Sequence, residues 1–278
     1  MQLAIPPAAA EVIGHVLGFS VTNTLVNGWI AVVFFVFIVL LLSRASDGVP
    51  RGLQNVAEGV VEFMLGEIQK VTGDAKRARR FLPIVGTIFL FILFSNWIGL
   101  FPGTGSIGVW QVHEGVRELI PLLRPAASDL NLTLAIALFA VITSHVIGLQ
   151  TVGTVNHLSK FFNVRGIFRS IKKGPIAIVV AVIEFGVGLI EVVSEFAKVI
   201  SLSLRLFGNV FAGEVLMTVM LGLFSLLLPI PFMFLEILVG VVQATVFAML
   251  TLAYLTVATT SHDEQDEHRA PDSVPAHA

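Results

Sequence analysis

Three polar side chains stand close together inside a long apolar stretch of the sequence: Arg205, Asn209 and Glu214. A charge at the centre of a membrane costs about 2.5–3.5 kcal/mol on insertion scales and about 10–17 kcal/mol in simulations of an isolated helix. Ionisable groups at that depth usually mark an ion or substrate pathway. The structural alternative is an arginine that a buried carboxylate neutralises only to lock two helices together. We therefore expect ion transfer around Arg205.

A first polar zone precedes Arg205 on the same predicted helix. Glu184, Glu191 and Lys198 stand at intervals of seven residues before Arg205, and seven residues return nearly to the same face of an α-helix. Glu195 stands three residues before Lys198, a spacing that allows a salt bridge on the helix surface. A salt-bridge network that only packs helices would explain Glu195 and Lys198 well, but it explains an arginine offset from most of the carboxylates poorly.

A second polar zone follows Arg205. Glu214 lies nine residues beyond it, and Glu236 and Gln243 share one face of the next predicted helix because they are seven residues apart. Since the last two helices are antiparallel across a proline-bounded turn, we expect Glu214 to approach Glu236. Carboxyl groups can exchange protons, whereas arginine keeps its proton. The pattern predicts a fixed positive gate, Arg205, between two proton-exchanging zones.

The composition is that of a membrane protein that crosses the bilayer several times. The chain has 278 residues, of which 55% are hydrophobic and 13% charged, against about 25% charged in soluble domains. The net charge of −2 indicates no nucleic-acid partner, and the absence of cysteine excludes disulfides and thiol chemistry. We expect no cofactor, because the G-x-G-x-x-G match at 103–108 follows a membrane span instead of a strand.

Three further features have two interpretations each. The basic run at 76–80 resembles a nucleic-acid patch in isolation, but directly before a span it indicates a cytoplasmic anchor. His145 is expected to be a hydrogen-bonded interior histidine, with a proton relay as the alternative. No second histidine stands at helical spacing, so no metal site is predicted.

Asp129 is either a helix N-cap or a polar group at a channel mouth.

Stepwise along the chain, the pattern predicts a single all-α integral membrane domain with about five membrane helices, an amphipathic surface helix, a long tilted fifth helix and a final helix packed against it as an antiparallel pair. The predicted segments are an outer tail (1–24), a first span (25–42), an amphipathic cytoplasmic segment (43–80), a second span (81–101), an outer loop (102–129) with a short interfacial helix near 112–123, a third span (130–149), a basic cytoplasmic loop (150–174), the long helix (175–228), the last helix (229–260) and a disordered cytoplasmic tail (261–278).

The long apolar segment at 175–228 has no internal proline. A helix of about 50 residues is about 75 Å long at 1.5 Å per residue, over twice the hydrocarbon thickness of about 30 Å. The segment is either a hairpin or one strongly tilted helix covered by something outside this chain. Residues 191–205, where the hairpin would turn, hold no turn residues. We therefore predict one long, bent and tilted helix.

The orientation follows from the lysine and arginine counts of the connecting segments. The 43–80 segment has seven, the 102–128 segment two and the 150–174 segment five. With five spans, the positive-inside rule places the N-terminus outside and the C-terminus in the cytoplasm. The first 23 residues lack the basic start of a signal peptide. We expect a bacterial plasma membrane location, although a hairpin in the long segment would put the tail outside.

At these residues the sequence resembles subunit a of F-type ATP synthases. The resemblance is carried by Leu202-Ser-Leu-Arg205-Leu-Phe-Gly-Asn209 with Ala212-Gly-Glu214, and also by Gln243 within its segment, Ser95-Asn96, Leu100-Phe101-Pro102 and Asp129-Leu-Asn131-Leu-Thr133. It covers roughly residues 81–254. The resemblance implies a stator subunit that is not an enzyme by itself but a component of the proton-transporting ATP synthase.

The resemblance also implies a mechanism, in which protons pass through two offset half-channels to and from a rotating c-ring while Arg205 prevents a direct leak. The implied partners are the c-ring subunits, the peripheral-stalk b subunits, other ATP synthase subunits and the lipid membrane. The implied proton-pathway residues are Glu214, Glu236, Asn96, Asp129 and Asn131 on the outer side, Glu191 on the inner side, and Asn209 and Gln243 near the gate. Gly99 departs from relatives that have a carboxylate there.

Two other functions are weighed against this one. A stand-alone proton-coupled transporter would show paired repeats with broken helices, and none is visible. An intramembrane hydrolase would need a nucleophile motif such as G-x-S-x-G, which does not occur. Co-purification with a ring and soluble catalytic subunits would discriminate between these classes.

Overall fold

The computed structural model describes most of the chain. The described residues are 7–16, 18–42, 52–101, 104, 107–113, 116–154, 157, 175–223 and 229–260. The predicted disordered tail (261–278), most of the predicted basic loop (150–174) and the end of the predicted long helix (224–228) lie outside these residues.

Six α-helices dominate the described part of the chain, and five of them are long and apolar enough to cross a membrane. The helices are α1 (Asn23–Leu42), α2 (Leu53–Thr72), α3 (Ala75–Leu100), α4 (Leu130–Val152), α5 (Pro175–Leu223) and α6 (Pro229–Thr259). All but α2 meet the length and hydropathy needed for a span. The predicted all-α membrane fold class is confirmed.

The long segment is one uninterrupted helix. α5 runs for 49 residues from Pro175 to Leu223, so the hairpin alternative is wrong. At 1.5 Å per residue its length is about 74 Å, over twice the hydrocarbon thickness of about 30 Å. A helix of this length that stays within the bilayer must be tilted, and its tilt stays a prediction. α6 follows with proline at its first position, where the missing N–H is not needed.

The boundary between α2 and α3 lies earlier than the sequence indicated. α2 ends before Gly73, which adopts the left-handed conformation with φ 68°. Asp74 then caps α3, since its side chain accepts a hydrogen bond of 2.9 Å from the backbone N–H of Lys76. The basic run at 76–80 therefore forms the first turns of α3 and does not end the amphipathic helix.

Two short hairpins appear where the sequence predicted no strand. β1 (Val12–Val16) pairs antiparallel with β2 (Phe19–Thr22) in the N-terminal tail. β3 (Gly108–His113) pairs with β4 (Val116–Pro121), so the expected interfacial helix near 112–123 is wrong. Three β-branched valines at 109, 112 and 116 favour strands, and His113 pairs with Val116 across a two-residue connection.

The chain divides into two compact units. The first comprises Met1–Ala137 and Ile200–Leu250, and its core includes Phe81, Ile92, Leu202, Leu206 and Phe247, each at most 2% exposed. The second comprises Leu138–Val199 and Thr251–Ala278. The first unit contains Arg205 and the predicted outer zone, and the second contains the predicted inner zone.

Candidate functional site

Within the first unit, α5 has two unlike faces. Leu202, Leu206 and Val210 are buried at 2%, 0% and 5% exposure, and their spacing of four residues keeps them on one side of the helix. Arg205 is exposed on the other side. The exposed residues there are apolar, small or polar: Ile200, Ser201, Leu204, Gly208, Asn209 and Ala212. Arg205 therefore lies on a face of α5 that packs against nothing in this unit, while the buried face fixes the position of the helix.

Within the part of the chain that the structure describes, the guanidinium of Arg205 has no ion-pair or hydrogen-bond partner. A helix-locking arginine would need a carboxylate beside it, and no described residue supplies one.

Asn209 connects the Arg205 face to α6. Its side-chain N–H donates a hydrogen bond of 2.7 Å to the Oε1 atom of Gln243. Gln243 is buried at 4% exposure, and its Nε2 atom has no hydrogen-bond partner among the described residues. This hydrogen bond holds the Gln243 amide beside Asn209, which lies one turn beyond Arg205. The Nε2 group of Gln243 can still donate a hydrogen bond.

Glu214 is ion-paired with Arg124, a residue that the sequence did not predict as part of the site. Its Oε1 atom lies 2.7 Å from the Nε atom of Arg124, and the two side chains are 16% and 1% exposed. Arg124 also donates hydrogen bonds of 3.3 Å and 2.8 Å to the backbone carbonyls of Ala9 and Pro7. The arginine therefore joins α5 to the N-terminal tail.

The sequence feature that could have identified Arg124 is its position among apolar residues. It stands between Pro121 and Pro125 in an otherwise apolar stretch five residues before Asp129, a place where an exposed charge is unusual. In the sequence it is only one of two basic residues of the predicted outer loop. The backbone carbonyl of Arg124 accepts a hydrogen bond of 2.7 Å from the side chain of Asn27. Hydrogen bonds therefore fix both the backbone and the side chain of Arg124.

Glu236 packs directly on the backbone of α5. A Cβ atom added at Gly213 would overlap the carboxylate of Glu236, so the absence of a side chain there lets the carboxylate approach the helix. Gly213 immediately precedes Glu214. The close approach of Glu236 to Glu214 itself stays a prediction.

Several buried polar atoms of the first unit have no hydrogen-bond partner among the described residues. They are both amide atoms of Asn96, the Oγ atom of Ser95, the Oδ1 atom of Asn27 and the Nε2 atom of Gln243. Buried polar groups are normally satisfied by protein or by ordered water. These atoms, on α1, α3 and α6, are therefore suited to contact water inside the unit.

Asp129 serves as the N-cap of α4. Its Oδ1 atom accepts a hydrogen bond of 2.9 Å from the backbone N–H of Asn131, and its Oδ2 atom accepts one of 3.1 Å from the hydroxyl of Thr24. The N-cap interpretation is confirmed, although Asp129 is also buried among polar groups of α1. Asn131 is exposed, and no contact brings it to Glu214.

Gly99 packs against the segment that carries Arg124. A Cβ atom at Gly99 would overlap the ring of Pro125. A carboxylate side chain at this position would need Pro125 to move, which gives a steric reason for the glycine.

The predicted inner zone forms a cluster in the second unit. A cavity of about 30 Å³ is lined by Glu191, Glu195, Lys198, His145, His157 and Tyr254, together with Ser144, Val257 and Ala258. Glu195 forms an ion pair of 2.6 Å with Lys198, as the i, i+3 spacing predicted. His145 lies 3.2 Å from Glu195, so it is a hydrogen-bonded histidine as expected.

Comparisons with known proteins agree on one family. The family model described as ATP synthase A chain matches residues 25–256. The chain is 32% identical to the ATP synthase subunit a of Gloeobacter violaceus over 242 residues, which is 87% of this chain and 85% of the relative. It is 31% identical to that of Moorella thermoacetica, covering 89% and 95%, and 34% identical to that of Mycobacterium marinum, covering 91% and 92%.

Proposed function

The chain belongs to the ATP synthase A chain family, and from that premise we propose how its residues move protons. It is a proton-translocating subunit of the membrane sector, crosses the membrane several times and works as part of a larger complex. We propose that it provides two offset half-channels, one on each side of the Arg205 gate. Family membership leaves the stand-alone transporter without support.

The single observation that carries the proposal is the state of Arg205. A permanently charged guanidinium is exposed on the unpacked face of α5 and has no partner among the described residues. A charge at membrane depth is costly unless an opposite charge comes close. We propose that this partner is the carboxylate of a c-ring subunit, which rotates past Arg205. The guanidinium favours the ionised form of that carboxylate, so its proton leaves.

The outer half-channel is proposed to follow the polar groups of the first unit. Glu214 and Glu236 supply carboxyl groups, and Asn96 supplies buried amide atoms suited to water contact. Asp129 and Asn131 lie at its mouth, and Gln243 positions Asn209 beside the gate. Glu191 marks the inner half-channel in the second unit. The N-terminus is proposed to lie outside and the C-terminus in the cytoplasm.

Arginine suits this gate because it does not lose its proton. One proton that crosses about 200 mV releases about 5 kcal/mol, at about 2.3 kcal/mol per 100 mV. A proton that passed directly between the half-channels would dissipate this energy without turning the ring. Peripheral-stalk b subunits are proposed to hold this chain still while the ring moves.

The test is Arg205→Ala in the complete ATP synthase. We expect ATP synthesis and coupled pumping to be abolished, while vesicles stripped of the soluble head leak protons. Arg205→Lys should also couple poorly, because an ammonium is a point charge with a different reach from the guanidinium, and it can lose its proton once the ring covers it. Passive proton flux, normalised to assembled complex, is the decisive measurement.

Leu204→Ala is the matched control, since Leu204 is exposed on the same face and carries no charge. It should keep the barrier to protons. An assembled Arg205→Ala complex that still made ATP at an appreciable rate would refute the gate. A variant that failed to assemble, with no leak, would indicate a structural arginine.

A further inference from the structure

The second unit contains a chain of three proton-exchanging side chains on separate parts of the fold. The Nε2 atom of His145 lies 3.2 Å from the Oε2 atom of Glu195, and its Nδ1 atom lies 3.2 Å from the Nε2 atom of His157. His145 belongs to α4, Glu195 to α5, and His157 follows the end of α4. One imidazole therefore bridges a carboxylate of the long helix and a second imidazole.

We propose that His145 and His157 form a proton relay of the inner half-channel, which takes protons from Glu195 and passes them to the inner aqueous side. The proposal rests on the proposed function, because it assigns the next carriers after Glu191 on that side. Imidazole is the side chain whose proton exchange is best suited to neutral pH. A neutral imidazole also has one donor and one acceptor nitrogen, as a relay requires.

The transfer balances without any other reactant. A proton on Glu195 passes to the Nε2 atom of His145, and the Nδ1 proton of His145 passes to the Nε2 atom of His157. Glu195 becomes a carboxylate, His145 stays neutral in its other tautomer, and His157 becomes an imidazolium that releases its proton to the inner aqueous side. His145 returns to its first tautomer by exchange with water.

The surroundings of the chain suit this exchange. The adjoining cavity of about 30 Å³ has room for one or two water molecules, and Glu191 lines the same cavity. Lys198, 2.6 Å from the Oε1 atom of Glu195, stabilises the carboxylate that remains after transfer. Lys198 also lies 5.1 Å from the centre of the Tyr254 ring. The charged or titratable groups that face the two histidines among the described residues are Glu191, Glu195, Lys198 and Tyr254.

Gly148 lets the two histidines meet. A Cβ atom at this position would lie 2.7 Å from the Cε1 atom of His157 and 2.7 Å from the backbone oxygen of Ala258. Atoms this close must move apart, so a side chain at Gly148 would push His157 from its place beside His145. The close approach gives a way to disturb the relay without removing a titratable group.

The test uses the complete complex in vesicles stripped of the soluble head, with passive proton flux measured per assembled complex. His145→Gln and His157→Gln keep hydrogen-bonding amides but cannot carry a proton. Since acid–base groups in proton transfer contribute typically 10²–10⁴-fold, we expect each variant to lower the flux by at least about tenfold. The dependence of the flux on inner pH between about 5 and 8 should also be lost.

Ile142→Ala is the matched control on the same helix, because Ile142 is exposed and does not line the cavity. It should conduct at the wild-type rate. Gly148→Ala should lower the flux, because it displaces His157.

Three outcomes separate the hypotheses. Assembled His145→Gln and His157→Gln complexes that keep wild-type flux and pH dependence would overturn the relay. The same holds if fewer complexes assemble but each conducts normally, since the histidines then only hold helices together. Arg205→Ala in the same preparation reports on the proposed function separately: if it leaks as expected while the histidine variants conduct normally, only the relay is wrong.

Discussion

Replacement of Arg124 by methionine should destabilise the chain more than any change at an exposed charge. Methionine approximates the apolar part of the arginine side chain but cannot pair with Glu214 or donate to the carbonyls of Pro7 and Ala9. The arginine is 1% exposed and lies 2.7 Å from the Glu214 carboxylate. Its loss therefore leaves a largely buried carboxylate without its counter-charge.

The expected magnitude follows from this geometry. Two unit charges about 4 Å apart attract by about 4 kcal/mol at an effective dielectric constant of 20. Removal of one partner from a buried pair costs about 3–5 kcal/mol in measured cases. We expect Arg124→Met to lower the free energy of unfolding by about 3–5 kcal/mol. The Arg124→Met/Glu214→Leu double variant should recover much of that loss, because no buried charge is left unpaired.

The assay is a double-mutant cycle on the purified chain in mixed micelles, with unfolding followed by the fluorescence of the three tryptophans. Protease sensitivity of the N-terminal tail is a second readout. The two hydrogen bonds from Arg124 to the tail carbonyls predict faster cleavage in Arg124→Met than in a Glu214→Leu single variant.

Two results would refute the reasoning. A loss below about 1 kcal/mol for Arg124→Met would mean that the pair behaves as an exposed salt bridge. Additive effects of the two single changes would mean that Arg124 and Glu214 are not coupled.

Three further predictions test other parts of the structure. Glu236→Gln should slow ATP-driven proton pumping in vesicles, because an amide cannot exchange a proton; wild-type pumping would contradict its place in the outer half-channel. Gly213→Ala should lower the free energy of unfolding by about 1–3 kcal/mol, because its Cβ would overlap the Glu236 carboxylate. The control for this variant is Gly208→Ala, whose Cβ would have no atom within 4 Å, so the free energy of unfolding should stay equal or rise by up to about 1 kcal/mol. Cysteines at Ile190 and Leu223 should label from opposite sides of the membrane, because α5 continues through both positions; labelling from one side would contradict a spanning α5.

The membrane helices could be predicted from the sequence because their signal is local. Continuous apolar stretches define the spans, and the absence of proline from 175–228 already favoured one long helix. The two hairpins were missed because each is short and lies in a mixed segment. Pairing between strands depends on register and side-chain contacts, which hydropathy does not record.

The residues of the candidate site were predictable in kind but not in arrangement. Arg205, Glu214 and Glu236 stood out because charges inside apolar helices are costly, and the motif around Arg205 carried the family resemblance. The contacts of these residues could not be predicted, because their partners are far away in the sequence. Glu214 pairs with Arg124, which is 90 residues away in sequence, and His145 connects to Glu195, 50 residues away.

The sequence by itself therefore determined which segments enter the membrane and which of them carry charge, since both depend on the transfer free energies of individual residues. Only the tertiary structure decided which charges are paired and which are exposed. Arg124 and Arg205 are both arginines with mostly apolar neighbours in the sequence. Arg124 is nevertheless buried against a carboxylate, whereas Arg205 is exposed. The difference arises because pairing needs two groups within a few ångströms, and that distance depends on how helices, loops and the N-terminal tail pack together.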